Sequence, residues 1–497
     1  MLEHIFGSGA TAGTILLLVL ALALALSFES INGFHDTANA VATVIYTNTL
    51  PPWVAVVWSG IWNLIGVLVS AGAVAFGIIA LLPVELVIHV GSAAGFAMVF
   101  AILISAIIWN FTTWYRGIPA SSSHTLIGSI VGVGLMNAAL SKHPFGDGVN
   151  WGKVQDTFSA LLFSPMIGFA LAGLLLILMK FIIRAPKLYQ SPEGKKAPTW
   201  WIRTLLVLTC TGVSFAHGSN DGQKGQGLIM LIMIGILPGI YALNPSINHS
   251  TITQVVALNR SLQPTFDKRA GLDPVSETDA ENDLSDFLKA GAKPTQATFA
   301  ALAYENNQIN AILTGETPFD QLTKDQRKDL RTRIYLVGES IGKLTKANAF
   351  TDPAQKTELT NYKKQLDGMT KFIPLWVKIA VALCLGIGTM IGWKRIVVTV
   401  GEKIGKSHLT YGQGAAAEII TYATIQGADV LGLPVSTTHI LTSGVAGTMA
   451  ANGSGLQTKT LRDIVLAWVL TVPVCVFLGA MLFGGGLLVI LRFTGAH

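Results

Sequence analysis

The chain has 497 residues, of which 51% are hydrophobic and only 12% are charged. Because an average soluble domain is roughly one-quarter charged, this composition excludes an ordinary water-soluble enzyme and predicts a protein with many membrane helices. The net charge of +6 comes from basic groups in short loops between apolar runs, which is typical of membrane topology, so no nucleic-acid partner is expected.

Residues 1–184 are predicted to form a first membrane repeat. No basic region precedes its first apolar run, so that run is expected to be a retained helix rather than a cleaved signal. Residues 185–200 follow as a basic connecting loop, which is expected to be cytoplasmic because lysine and arginine are enriched in cytoplasmic loops. A spanning helix needs about 20 apolar residues, and the candidate runs are Thr11–Phe28, Trp53–Leu82, Ile88–Phe111, Leu126–Ala139 and Ala160–Ile183.

A second membrane repeat is predicted to start at residues 201–242 and to resume at residues 373–497. Between these two parts, residues 243–372 hold 16 basic and 16 acidic residues in 130 positions, whereas the other 367 residues carry the whole net charge. This composition predicts a small soluble α-helical insertion. A single crossing before it would place the insertion in the periplasm, which we favour, and two crossings would place it in the cytoplasm.

Two short motifs occur once in each predicted repeat. Residues 32–40 (NGFHDTANA) and 217–225 (HGSNDGQKG) align Asp36 with Asp221. Residues 117–124 (GIPASSSH) and 432–439 (GLPVSTTH) match in glycine, proline, serine, two further hydroxyls and histidine. The second motif follows the aspartate by 83 positions in the first half and by 213 in the second. The 130-residue insertion accounts for the difference, so the sequence predicts a duplicated membrane unit.

The duplication predicts the fold class. Repeats in transporters are commonly inverted about the membrane plane, with the binding site at their interface. Glycine and proline beside polar groups predict broken helices and re-entrant-type hairpins, since irregular backbone inside a membrane has to line a cavity or be buried in protein. The predicted fold is therefore an all-α polytopic membrane protein with two inverted structural repeats, plus the small α-helical soluble insertion.

The hydroxyl motifs predict an anion site. Proline and Ser/Thr favour a helix start, and a helix N-terminus offers free N–H groups and a partial positive charge. Two such termini facing each other suit a tetrahedral oxyanion. Asp36 and Asp221 are expected to hold a coupling cation or share a proton, with a structural ion network as the alternative. Lys224 either balances Asp221 or meets the anion, and neither His124 nor His439 can be assigned between orienting the loop and carrying a proton.

The three cysteines lie far apart in apolar runs, so neither a fixed metal site nor a bound cofactor is expected.

These motifs make the sequence similar to the inorganic phosphate transporter (PiT) family, and within it to the bacterial PitA-like branch. The family signature combines a duplicated Gly-x-Asn-Asp-x-x-Asn-Ala element with duplicated Pro-x-Ser-x-[Ser/Thr]-His elements. Two positions depart from it: His35 stands where Asn precedes the aspartate, and Lys224 stands where the second copy should have Asn. The resemblance covers both membrane halves.

The resemblance implies phosphate symport by alternating access in a multi-pass protein of the bacterial inner membrane that assembles as a homodimer. It implies coupling to H⁺ or Na⁺, with Mg²⁺ or another divalent metal carried as a neutral metal–phosphate complex in the PitA-like branch. The residues implied for phosphate are Ser121, Ser122, Ser123, Ser436, Thr437 and Thr438. Thr125, in the first turn of the same helix start, and Lys224 are further phosphate candidates from the residues themselves. Those implied for the cation are Asp36, Asn39, Asn220 and Asp221.

Three other functions stay open at the level of sequence. A sulfate carrier of the same architecture fits the same donors. An intramembrane hydrolase with Ser123 or Ser436 as nucleophile needs a base from another helix, because adjacent Ser and His side chains point apart on a helix. A passive anion channel would not need two carboxylates.

Overall fold

The computed structural model describes residues 12–494 except 89–91, 143, 145, 147, 193, 195, 272–274, 290, 315–318 and 320. The side chains of residues 12, 14, 37–39, 493 and 494 also lie outside the described part. The structure is 81% helical, which confirms the all-α prediction, and its described residues contain no β-strand beyond one isolated bridge between Gly405 and Leu456.

The helices before the polar segment are α1 (Ala12–Tyr46), α2 (Pro52–Val69), α3 (Ala73–Ile79), α4 (Val84–Ile88), α5 (Ala93–Tyr115), α6 (Ser122–Leu140), α7 (Trp151–Ile182), α8 (Trp200–Ile236) and α9 (Pro238–Tyr241). A bundle of five follows: α10 (His249–Ala270), α11 (Glu277–Leu288), α12 (Gln296–Leu313), α13 (Lys324–Lys346) and α14 (Pro353–Thr370). The last five are α15 (Leu375–Ile391), α16 (Lys394–Glu402), α17 (Tyr411–Val430), α18 (Thr437–Ala451) and α19 (Thr458–Thr494).

Six of the described helices are long and apolar enough to cross a membrane, namely α1, α2, α5, α6, α7 and α19. The pair α14 and α15 would add a seventh span, although the chain bends by 76° between them. Many large apolar side chains on these helices face outward, for example Phe181 and Leu174 on α7. An apolar outer surface suits contact with lipid rather than water, and the prediction of a multi-pass membrane protein is confirmed.

The molecule has two distinct ends. At one end the basic loop of residues 185–200 meets the segment between α16 and α17, where Ser191 Oγ donates to the His408 carbonyl at 3.3 Å. The turn after α1 joins them, since Asn48 Nδ2 donates to the Gly194 carbonyl at 2.9 Å. Helix α8 leaves this end and runs unbroken for 37 residues, about 55 Å at 1.5 Å per residue. It reaches the opposite end, where the α10–α14 bundle lies. We call these the loop end and the bundle end.

The halves pack through reciprocal glycine contacts. Gly33 of α1 lies against α15, where a Cβ would come 2.5 Å from the Leu385 carbonyl oxygen, and the aligned Gly218 of α8 lies against α2, 2.1 Å from the Asn63 oxygen. Gly132 of α6 meets α19 and Gly447 of α18 meets α7, each at 2.0 Å from a carbonyl oxygen. Only glycine permits backbones this close, so matched positions in the two halves serve the same contact with the other half.

The prediction of broken helices is wrong at the two aspartate motifs. Residues 32–40 lie inside the continuous helix α1, and residues 217–225 lie inside the continuous helix α8. The glycines there serve close helix packing rather than a break, and the buried carboxylates Asp36 and Asp221 each contact a hydroxyl of another helix, Thr437 at 3.2 Å and Ser122 at 3.5 Å. The backbone hydrogen-bond ladder therefore does not have to open.

Breaks do occur at the two hydroxyl motifs. Helix α5 stops at Tyr115 before α6, and α17 stops at Val430 before α18. Gly117 and Gly432 turn the chain at these breaks with the same left-handed φ of +66°. Helix α6 then runs towards the bundle end, where Gly134 packs on Gly148, whereas α18 runs to the loop end, where Asn452 bonds Lys180.

The α10–α14 bundle has its own core. Apolar side chains from all five helices are buried in it, and a buried polar cluster joins Asn259, Asn306 and the Tyr362 hydroxyl through hydrogen bonds of 2.8–3.0 Å. Its two ends lie together, because the Asn244 amide donates to the Met369 carbonyl at 2.8 Å. The bundle is thus a compact unit that leaves and re-enters the membrane helices at one place.

An ion-pair cluster on the bundle should make its stability sensitive to acid. Burial alone would raise the pKa of Glu339, but Lys371 at 3.0 Å and Lys363 at 3.6 Å outweigh it and lower that pKa to about 2. A carboxyl with a depressed pKa stabilises the fold above its ordinary pKa of 4.5 and loses this contribution as pH falls towards 2. The loss is on the order of 3 kcal/mol.

We therefore expect amide hydrogen exchange in α13 and α14, corrected for intrinsic rates, to accelerate in the intact protein as pH falls below 4.5. Glu339→Gln should flatten this dependence, whereas Asp325→Asn, an exposed carboxylate in the first turn of α13, should leave it unchanged. An unchanged acid response in Glu339→Gln would show that another group governs the bundle.

Candidate functional site

Helices α6 and α18 begin in the same way. Ser121 and Ser436 are their N-caps, with side chains that accept from the His124 and His439 amides at 3.2 and 3.1 Å. Proline precedes each cap by two residues, so it fixes the extended entry rather than the first turn. The predicted helix starts are therefore present, and their free N–H groups are available to an anion.

The two N-termini face each other inside the protein. Ser123 Oγ donates to the Val435 carbonyl at 2.7 Å. The His124 and His439 rings lie 4.6 Å apart, and His439 stacks on Trp468 at 4.0 Å. All of these motif side chains are buried. This arrangement brings the two hydroxyl motifs together, as their duplication predicts.

The two aspartates lie at the same place and share one histidine. His217 Nε2 is 3.3 Å from Asp36 Oδ2 and 3.5 Å from Asp221 Oδ2. Its Nδ1 faces Asn63 Oδ1 at 2.5 Å, and Asn63 Nδ2 donates to the Ser59 carbonyl, which fixes the amide orientation. Both ring nitrogens thus face oxygen atoms, so the ring can carry a proton on each and place a positive charge between the carboxylates.

Each carboxylate is bonded by the hydroxyl motif of the other half. Thr437 Oγ1 donates to Asp36 Oδ1 at 3.2 Å and Thr438 donates to the same oxygen. In the other half, Ser122 Oγ lies 3.5 Å from Asp221 Oδ2. The repeats exchange partners at the centre of the molecule.

Lys224 completes this centre. Its ammonium is 2.6 Å from Asp221 Oδ2 and donates to Ser122 Oγ at 3.1 Å. The side chain is fully buried, and a buried ammonium is tolerated only when it is paired and hydrogen-bonded. Lys224 therefore fixes a positive charge between the aspartate and the hydroxyl motif, at the position where the family signature has asparagine.

The centre could also hold a metal ion. One ligand atom from each of Asp36, His217 and Asp221 lies within 4.8 Å of the others. Carboxylate oxygen and imidazole nitrogen are ordinary ligands of divalent ions. A metal there would replace the proton that His217 Nε2 directs at the carboxylates.

Three further residues of the predicted set have other contacts or lie outside the described side chains, and their predicted roles stay predictions. Thr125 Oγ1 donates to Asn110 Oδ1 at 2.9 Å and to the Ser121 carbonyl at 2.8 Å, so its hydroxyl serves packing within α5 and α6. Asn220 Nδ2 donates to the Leu433 carbonyl at 3.3 Å, which ties α8 to the second hydroxyl motif. The side chain of Asn39 lies outside the described part of the chain.

Sequence reasoning gave His217 little weight, although it lies between the two carboxylates. The signal was available, because His217 precedes Asp221 by four positions and residues so spaced share a helix face. Asn63 carried no such signal, since it lies on α2.

Two further buried carboxyl groups flank the centre. Glu29 lies against Gly225, where a Cβ would come 2.5 Å from its Oε1, and Glu418 accepts from Thr43 and Thr209.

The sequence matches the phosphate transporter family PHO4 over residues 32–479. The chain belongs to this family. The low-affinity inorganic phosphate transporter PitA of Escherichia coli (strain K12) is 41% identical over 97% of this chain and 98% of its own length. A probable low-affinity inorganic phosphate transporter of Bacillus subtilis is 25% identical over 94% and 97%.

A solved structure has the same fold. The sodium-dependent phosphate transporter superposes with a TM-score of 0.51 over 94% of this chain and 98% of its own, at 17% identity. This likeness concerns the fold alone.

Membership of the phosphate transporter family confirms the family predicted from the motifs. It also confirms a bacterial membrane protein and a transport family rather than an enzyme family, so the hydrolase alternative is set aside. Ser123 agrees with this, since its hydroxyl donates to a carbonyl rather than to an imidazole. The homodimer stays a prediction.

Proposed function

We propose that this protein imports inorganic phosphate across the bacterial inner membrane by symport. The observation that supports it most is the meeting of two hydroxyl-capped helix N-termini with a carboxylate pair that is already balanced by His217 and Lys224. Helix N-termini and hydroxyls supply donors from opposite sides, which a tetrahedral anion needs. Neither motif alone offers this arrangement.

The carboxylates favour phosphate over sulfate. At neutral pH phosphate keeps one or two protons and can donate a hydrogen bond to Asp36 or Asp221, whereas sulfate has no proton to donate. A buried site built to accept such a bond leaves its carboxylate unpaired when the ligand lacks the donor, which gives strong discrimination. Sulfate transport is therefore the less favoured alternative.

Alternating access would follow from inverted repeats. Several features support the inversion: the reciprocal glycine contacts, the exchange of partners between Asp36 and Asp221, and the opposite directions of α6 and α18. Two related halves that meet at a central site can rock against each other and open it to one end at a time.

The fixed charges favour protons as the coupling ion. Lys224 already supplies a positive charge at Asp221, and His217 can add or lose a second. A proton that enters with phosphate would bind to His217, so the centre would not need a dedicated sodium site. Mg²⁺ or another divalent metal entering as a metal–phosphate complex would instead meet the ligand set of Asp36, His217 and Asp221.

Loss of hydroxyl donors should weaken phosphate binding. Each hydrogen bond to a charged group contributes about 1.5–3 kcal/mol, so Ser122→Ala and Thr437→Ala should each raise the half-saturating phosphate concentration roughly tenfold to a hundredfold. The measurement is uptake into proteoliposomes of radiolabelled phosphate or sulfate, with pH, sodium and magnesium varied independently. Ser92→Ala, which removes the N-cap of α5 away from the centre, is the matched control.

Three results would contradict the proposal. Wild-type affinity for phosphate in both hydroxyl variants would show that the centre does not bind the anion. Equal transport of sulfate and phosphate would contradict the selectivity argument. An absolute requirement for sodium at constant pH would contradict proton coupling.

We also propose that residues 243–372 form an accessory unit on the periplasmic side. The unbroken helix α8 supports one crossing from the basic loop end, and the adjoining ends of the bundle allow a clean excision. Replacing residues 245–368 by a short Gly/Ser linker should preserve phosphate accumulation within about threefold, because loops at such junctions tolerate exchange. Loss of uptake by a stable, inserted protein would place the bundle in the transport mechanism.

A further inference from the structure

A large cavity lies at the bundle end, outside the central site. Its volume is about 940 Å³. Helix α3, the first turns of α7 and the Leu431–Gly432 turn form its membrane side, and helices α13 and α14 form its bundle side. Neither the family nor the central site accounts for a cavity between these two parts.

The cavity wall is rich in lysine. Six lysines and three carboxylates line it: Lys153, Lys289, Lys343, Lys346, Lys363 and Lys371 against Asp156, Glu339 and Asp367. Lys363 and Lys371 share Glu339 and Asp367 at 2.8–3.6 Å. Lys289 pairs with Asp286 at 2.7 Å and with Glu85 at 3.4 Å. These three lysines are therefore neutralised by the protein.

Two of the remaining lysines have no carboxylate within ion-pair distance among the described residues. Lys343 is held by the Phe287 and Lys289 carbonyls at 2.5 and 2.6 Å, which use two of its three donors. Lys153 comes from the first turn of α7 and lies close enough to Glu339 to help lower the pKa of that carboxyl. Neither lysine has an ion-pair partner of its own among the described residues.

The third, Lys346, has only a weak partner. Its ammonium is 3.5 Å from Asp156 Oδ2, and the two side chains are 71% and 54% exposed. An exposed pair of this kind contributes about 0–1 kcal/mol, so a multivalent anion can displace the carboxylate. Lys346 and Lys343 lie three positions apart on α13 and share a face, opposite Lys153 on α7.

We propose that this cavity is a second oxyanion site, which binds inorganic phosphate between Lys153 and the Lys343–Lys346 face before the anion reaches the centre. We call it the vestibule. The Leu431–Gly432 turn is part of its wall, and the N-cap residue Ser436 lies four positions after Gly432. The transfer to the centre rests on the proposed function, whereas binding in the vestibule does not.

The chemistry that recognises phosphate would also accept a lipid phosphodiester, and the bundle end adjoins the membrane. The vestibule wall contains the exposed Asp156, which would repel a second anionic group beside the phosphate. A lipid headgroup brings one negative charge and a free phosphate close to two. The six lysines outnumber the five carboxylates around them by one, and displacement of Asp156 raises the excess to two positive charges. This excess favours the divalent anion, so free phosphate is the ligand proposed.

The test is equilibrium dialysis of the full-length protein with radiolabelled phosphate in lipid-free detergent at low ionic strength. We expect two phosphates per wild-type chain, and one in the double variant Ser122→Ala/Thr437→Ala. Adding Lys153→Gln and Lys346→Gln should remove that remaining phosphate. The matched control is Lys268→Gln/Lys364→Gln, which removes two exposed bundle lysines outside the cavity and should leave it bound.

A variant with increased affinity gives a second test of phosphate binding in the vestibule. Asp156→Asn should free Lys346 and tighten the remaining phosphate severalfold. Raising the salt concentration should weaken this phosphate strongly, because an open site of fixed charges is screened. A thermal unfolding midpoint equal to that of the wild-type protein would show that each variant stays folded.

The outcomes separate the two proposals. If the lysine variants keep the remaining phosphate as the control does, the vestibule is not a phosphate site, whatever happens at the centre. If the hydroxyl variant still binds two phosphates, the central site is wrong and the vestibule stands. If phosphatidylglycerol micelles at equal concentration displace the lysine-dependent phosphate, the site is a lipid headgroup site and the proposal is overturned.

Discussion

Replacing Asp36 or Asp221 by asparagine is expected to abolish phosphate accumulation while the protein still inserts. Each substitution removes one negative charge from a buried group that also contains His217 and Lys224. Breaking a buried ion pair from one side costs about 3–5 kcal/mol, because the remaining charge is left uncompensated. Concentrative uptake should fall at least a hundredfold, the larger effect being at Asp221, which contacts Lys224 directly.

The measurement is uptake against a phosphate gradient in proteoliposomes, with insertion checked by protease protection. Asp463→Asn makes the same chemical change at an exposed pair on α19 and should transport normally. Accumulation at the wild-type rate in either variant would assign that aspartate to a structural network, which is the alternative that sequence left open.

The second large effect is expected at His217. Its Nε2 faces both carboxylates, at 3.3 Å from Asp36 and 3.5 Å from Asp221, and Asn63 fixes the ring. His217→Gln keeps one N–H donor, but the glutamine amide cannot be protonated and deprotonated during transport as an imidazole can. Two charged contacts are lost. If each contributes about 1.5–3 kcal/mol, the transport rate should fall by roughly two to four orders of magnitude.

The variant should also lose its response to pH, which separates a proton-carrying role from a structural one. His408→Gln, at an exposed position of the loop end, is the control and should keep both the rate and the pH response. A His217→Gln protein with reduced uptake but a wild-type pH profile would show that the ring only positions Asp36 and Asp221.

Much of this architecture could be predicted because polar residues inside apolar runs carry information. The two hydroxyl motifs appear as helix starts, and their in-register repetition correctly predicts that they meet. The Asn32–Ala40 and His217–Gly225 motifs show the limit of this reasoning. Glycine beside a carboxylate predicts a break, but the glycines there serve interhelical contacts, and sequence does not reveal which neighbour a helix has.

The contacts that sequence does not reveal join different helices. The role of His217 follows from Asp36 on another helix, and the packing role of Thr125 follows from Asn110. The cavity at the bundle end could not be predicted from sequence either, because Lys153 and Lys343 are separated by 190 positions. Composition described the bundle as neutral, and only its packing on α7 reveals an uneven distribution of charge.

The exchange of partners at the centre also sets an order of events during biosynthesis. Asp36 is carried by the first helix, but the hydroxyls that bond it lie 401 and 402 positions later. Chains fold from the N-terminus as they are made, so the ribosome delivers this carboxylate to the bilayer long before α18 exists. The centre is therefore among the last parts to assemble, and a nascent chain that stops before residue 437 leaves Asp36 without these two partners. Such truncated chains should be recognised and degraded more readily than the complete protein.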